Sequence, residues 1–206
     1  MKRQIMKYVT TIFFLISINS YSQNSSYIIT TLNDTIKVDK FNILNKKIKV
    51  RINGNRKKYT YEKLKSIYDS KKNKYYEKIT PSYVEYMESS GNTFFAERLT
   101  IGKVRIYKYL TNQSHVPISN GNGGFISGSS SFYSYFIGIQ DVNPELLGYH
   151  EIQMTKNEYK ILKLYLHSNK EIQEELEDLF FLEKKEKEKQ VLELVHRYNH
   201  WAELEK

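Results

Sequence analysis

A chain of 206 residues has the length of one domain, or of one domain with an appendage. Lys and Arg number 32 against 23 Asp and Glu, for a net charge of +9, and 18 Tyr and 10 Phe with only 3 Pro exclude a disordered tail. The absence of Cys excludes a disulfide framework, a thiolate metal centre, a Cys nucleophile and a lipidated Cys. No apolar run approaches the roughly 18 residues of a membrane-spanning helix.

The first 22 residues read as a cleaved secretory signal peptide. Lys2, Arg3 and Lys7 open it, Thr10 to Ile18 is its short apolar run, and Asn19-Ser20-Tyr21-Ser22 ends it in small and polar residues. The chain is therefore expected to be secreted or periplasmic, and 23–206 is expected to form one domain.

The following residues are strand-like. Tyr27 to Leu32 and Thr35 to Val38 flank Asn33-Asp34, which predicts a tight hairpin. Lys47 to Asn53 alternates strictly: Ile48, Val50 and Ile52 on one face, Lys47, Lys49 and Arg51 on the other. Gly54-Asn55 is expected to turn this strand, and Arg56 to Tyr61 to return beside it. Further strands are predicted at Tyr75–Ile79, Phe94–Leu99, Val104–Leu110 and Phe132–Ile139. The stretch 112–131, with Gly121, Gly123, Gly124 and Gly128 among Ser and Asn, reads as a flexible loop.

From Thr155 the period becomes helical. Thr155 with Glu158, and Ser168 with Glu171, have capping-box spacing. Three apolar stripes follow: Tyr159, Leu162, Tyr165 and Leu166; Ile172, Leu176, Leu179 and Phe180; Val191, Leu194, Val195, Tyr198 and Ala202. Residues 155–203 are thus helical, with 171–203 forming either two helices or one bent one. The class expected is α+β: an antiparallel sheet within 23–140, followed by two or three helices packed on it.

Few residues suggest chemistry. His196 and His200 have the i, i+4 spacing of metal ligands, yet HRYNH lacks the Glu of a metalloprotease, and both point roughly 140–180° away from Val191 on the helix. Gly121-Asn122-Gly123-Gly124 lacks the Lys-Ser/Thr of a phosphate-binding loop, Gly128 is followed by three Ser, and His115 and His150 have no triad spacing. Asp141, Glu145 and Glu151 around Pro144 read as a solvated loop. No catalytic residue and no cofactor is implied.

Charge carries more information. Residues 37–78 hold 15 basic and 4 acidic groups, whereas 144–206 hold 10 basic and 14 acidic. Lys46, Lys47, Lys49 and Arg51 along one strand, with Arg56, Lys57 and Lys58 across the turn, would repel one another on a hairpin. They are candidates for binding an anionic envelope component, or are neutralised by the acidic helices, or protect a sheet edge. Nucleic acid is not expected, because Lys predominates over Arg and the chain is exported.

The order of several short motifs is also informative: Asn33-Asp34-Thr35-Ile36 in the first hairpin, Phe95-Ala96-Glu97-Arg98-Leu99, Gly102-Lys103-Val104-Arg105-Ile106-Tyr107, and Val195-His196-Arg197-Tyr198-Asn199 in the last helix. Together they resemble a group of uncharacterised secreted proteins of Bacteroidota. Those often carry Gly-Asp-Thr-Ile in the first hairpin, a Gly-Lys…Tyr strand, and Tyr-Asn in the last helix. The resemblance spans most of 24–203, with Asn33 in place of the usual Gly. It implies envelope export and an α+β build, and it brings no activity, cofactor or site residue. The role expected is a non-catalytic cell-envelope module that binds an anionic component or another envelope protein. The alternative is a small periplasmic enzyme with no recognisable motif.

Overall fold

The computed structural model describes residues 25–44, 46–82, 93–114, 118–119, 125–126, 129–181 and 186–205. The signal segment 1–22, His115 and the four glycines of the Gly/Ser stretch lie outside the described residues. The chain falls into two compact units, Met1–Tyr75 and Tyr76–Lys206.

In the first unit, β1 (Ser26–Thr30) and β2 (Thr35–Val38) form the expected hairpin, with Ile29 opposite Thr35. Asn33 closes the turn at φ 66°, a conformation Asn tolerates. β1 also pairs with β6 (Leu64–Asp69), giving the order β2-β1-β6. A separate antiparallel sheet has the order β3-β4-β5, built from Lys40–Leu44, Lys47–Ile52 and Asn55–Thr60. The alternation of β4 holds, with Ile48 and Val50 buried and Lys47, Lys49 and Arg51 exposed. The turn sits one residue earlier than expected, at Asn53-Gly54, where both residues have positive φ, 49° and 78°. That pair is the preferred two-residue hairpin turn, because its twist matches that of the strands. Ile28, Val38, Ile48, Val50, Leu64 and Ile67 are buried in this unit.

The second unit begins within β7 (Lys74–Ile79) and continues through β8 (Phe94–Arg98), β9 (Val104–Ser114), β12 (Ser129–Ile139) and β13 (Glu145–Tyr149). The sheet runs β13-β12-β9-β8, all antiparallel. β9 and β12 stay in register from Val104 opposite Ile139 to Ser114 opposite Ser129. Within the loop expected over 112–131, residues 112–114 and 129–131 are strand instead. Once two strands are zipped, Asn, Gln and Ser continue the ladder through their backbones. Two short strands, β10 (Ile118–Ser119) and β11 (Phe125–Ile126), pair within that stretch. The segment read as a solvated loop around Pro144 also changes, since Glu145 opens β13.

Three helices follow: α1 (Lys156–Tyr165), α2 (Lys170–Phe181) and α3 (Lys187–Leu204). The stretch 171–203 thus holds two helices, the first ending at Phe181 and the second starting at Lys187, and Glu186, at φ 67°, stands at the start of the second. Thr155 and Glu158 form the reciprocal capping box that their spacing predicts. For α2 the cap lies one residue later than expected: Asn169 Oδ1 accepts from Ile172 N at 3.0 Å, while Ser168 bonds His167. All three apolar stripes pack onto one face of the sheet, around Val104, Ile106, Tyr135, Ile137 and Leu147. The class is α+β, an antiparallel sheet carrying three C-terminal helices. Among the described residues no helix is long and apolar enough to cross a membrane.

Candidate functional site

The strongest concentration of charge lies on β3-β4-β5. Residues directly opposite one another in an antiparallel pair share a face. The register places Lys40, Arg51 and Arg56 in one row across the three strands. The next row is Asn42, Lys49 and Lys58, and the third is Leu44, Lys47 and Thr60. The reverse face carries Phe41, Val50 and Lys57, then Ile43, Ile48 and Tyr59. Strict alternation thus divides the basic run after the turn: Arg56 and Lys58 join the cation face, and Lys57 faces away. Lys46 lies outside the strands, in the turn before β4 at φ 62°. Lys40 joins the set through β3, a strand the sequence reading missed.

The ends of this sheet are fixed by specific bonds. Asp39, the one acidic residue in 39–60, accepts from Gly54 N through Oδ2 at 3.1 Å, and the Tyr61 hydroxyl donates to Leu44 O. Arg51 opposes Arg56 and Lys49 opposes Lys58, arrangements that destabilise a sheet unless an anion or water screens them. Among the described residues none of the six face cations has a carboxylate partner; the ion pairs of the acidic helices are to Lys108, Lys170 and Arg197. A depression of about 560 Å3 on these strands touches Lys40, Lys49, Arg51, Arg56 and Lys58 of this face, and also Phe41, Val50 and Lys57 of the intervening row.

The remaining candidates do not converge. His196 and His200 are exposed on α3, as the helical phase predicts. Among the described residues no group of three His, Asp or Glu is placed to hold a metal. His150 stacks on Phe132 with ring centroids 5.3 Å apart.

Two polar clusters of the second unit escaped the sequence reading. Glu77 accepts from Arg98 Nη1 at 2.6 Å, from Arg105 Nη1 at 3.0 and 3.2 Å, and from the Tyr107 hydroxyl at 3.0 Å. Both carboxylate oxygens are engaged, so the group acts as a structural hub. Glu188 accepts from Tyr135 Oη at 2.7 Å and from Lys108 Nζ at 3.2 Å, tying the start of α3 to the sheet. The Lys108 ammonium also lies over the Tyr133 and Tyr135 rings, at 4.5 and 4.9 Å.

These contacts shift tyrosine ionisation. Burial, and then Glu77, push Tyr107 well above its ordinary 10.0. Burial and Glu188 do the same to Tyr135. Tyr165 is pushed up to about 12 by burial and Glu145. The folded state therefore holds these protons more tightly than the unfolded chain does. Their contribution is whole below the unfolded value and is lost as pH rises through the folded ones. Urea midpoints are expected to be level from neutrality to about pH 9 and to fall above it, and Tyr135→Phe should make the fall shallower. An unchanged alkaline slope in that variant would remove Tyr135 from the account.

No family model, curated protein or solved structure matches the chain.

Proposed function

We propose that this chain is an exported, non-catalytic binding module of the cell envelope, and that the outward face of β3, β4 and β5 holds an anionic envelope component. The observation that carries this reading is the six-cation face: Lys40, Lys47, Lys49, Arg51, Arg56 and Lys58 on one side of three paired strands. Like charges held directly opposite one another cost stability in the free protein. A bound polyanion would remove that cost, so ligand binding and sheet stability are coupled. The half-buried carboxylates of the second unit support a non-catalytic role, because Glu77 and Glu188 are already engaged by the protein's own donors.

The test is retention of the full chain on a panel of polyanions (heparin, polyphosphate and anionic vesicles) at low and high ionic strength. At least one should be bound, with binding lost as salt rises. The Lys47→Gln, Lys49→Gln, Lys58→Gln triple variant should bind about tenfold more weakly or worse. Absence of binding to every member at low salt would sink the reading.

A further inference from the structure

We infer that the anion taken by this face is phosphate, displayed on the headgroups of an anionic phospholipid surface; the inference rests on the polyanion-binding reading above. The first observation is the row Lys40–Arg51–Arg56. Arg51 is paired with Arg56 across β4 and β5, and with Lys40 across β3 and β4. Directly opposed positions hold their Cβ atoms about 4.5–5.5 Å apart, so two guanidinium forks and an ammonium can converge on one tetrahedral anion. The planar guanidinium matches two phosphate oxygens at once, which a lysine point charge does not. Asp39 does not intrude, since its carboxylate holds the turn through Gly54 N.

The second observation is what the face lacks. Phe41 is paired with Val50 and Tyr59 with Ile48, so both aromatic residues of the three strands lie on the reverse face. Among the described residues, the three cation rows themselves therefore offer a glycan chain no ring to stack on. The groups that dominate these rows recognise by charge and hydrogen bonding.

The third observation is the layout. Strands lie about 4.8 Å apart and same-face residues repeat about every 6.8 Å along them, so the cations form a two-dimensional array. Such an array is complementary to a layer of headgroups. Each Lys or Arg brought to an anionic membrane surface strengthens binding about fivefold.

The experiment uses the full chain at low ionic strength. Its probes are phosphatidylcholine vesicles with and without phosphatidylglycerol, soluble polyphosphate, and alginate as a phosphate-free polycarboxylate. Vesicles with phosphatidylglycerol should be bound, pure phosphatidylcholine should not, and alginate should fail to compete. The double variant Arg51→Lys, Arg56→Lys keeps both charges and should lose about tenfold in vesicle affinity. Arg51→Gln, Arg56→Gln should lose about 30-fold. Both side chains lie on an exposed face, and unchanged or higher melting temperatures of the two double variants will show that the sheet is intact. Equal binding to alginate, or an Arg-to-Lys variant that binds as the parent does, overturns the phosphate assignment and leaves the polyanion reading standing. Binding to polyphosphate without binding to vesicles overturns the lipid source. Loss of every interaction overturns both.

Discussion

Glu77→Ala is expected to destabilise the protein by about 3 kcal/mol in urea unfolding at neutral pH, the largest loss from any single carboxylate here. The reason is the company that Glu77 keeps. Its oxygens take two guanidiniums and a phenol, and the side chains of Arg98 and Arg105 are only 13% and 16% exposed. Removing the anion leaves two poorly hydrated cations near each other, and that uncompensated charge outweighs the loss of the bonds themselves. The figure stands at the low end for a buried pair because some water reaches both arginines. Glu77→Gln should cost roughly half as much, since the amide oxygen still accepts. A loss below about 1 kcal/mol for the alanine variant would mean that the arginines are fully served by other acceptors.

Asn199→Ala is expected to cost about 3–4 kcal/mol by orphaning buried backbone groups. Asn199 lies on α3 and is 3% exposed. Its Oδ1 accepts from Val104 N at 2.8 Å, and its Nδ2 donates to Ile101 O at 2.8 Å and Val104 O at 2.7 Å. One side chain thus satisfies three backbone groups of the β8–β9 connection. Gly102 makes the approach possible: it sits at φ +121°, and a Cβ there would lie 2.6 Å from Asn199 Cβ. Gly102→Ala should therefore cost a similar amount through backbone strain and collision. Both changes break the same docking, so the double variant should lose clearly less than the sum of the singles. Additive losses in a double-mutant cycle would show that the two residues act independently.

The distance over which each feature is encoded decides how much of it could be read in advance. The alternation Lys47 to Ile52, the Thr155–Glu158 capping box and the three helical stripes are local patterns, and each appears where its period places it. The turn of β4 was misplaced by one residue because Asn53-Gly54 and Gly54-Asn55 are both turn pairs; only the backbone twist distinguishes them. β3 is illegible because only Asp39 separates it from β2, so no turn pair marks its start; β6 and β13 are not read either. The loss of β3 hid Lys40 from the cation face. Lys57, expected beside Arg56 and Lys58, faces away because consecutive residues of a strand cannot share a face. The Glu77 hub was illegible for a different reason: its partners lie 21, 28 and 30 residues away, and only the strand pairing brings them together. In the sequence Gly102 and Asn199 belong to two separate motifs, Gly-Lys and Tyr-Asn. Their meeting in one packed contact gives both a structural role.

The bond from Val104 N to Asn199 has a consequence for time rather than for energy. Val104 opens a strand, yet its amide proton is held by a side chain 95 residues later in the chain. Exchange of that proton with solvent requires α3 to leave the sheet, even while the ladder between β9 and β12 stays closed. A single slow amide at the start of β9 is therefore a clock for the departure of the last helix.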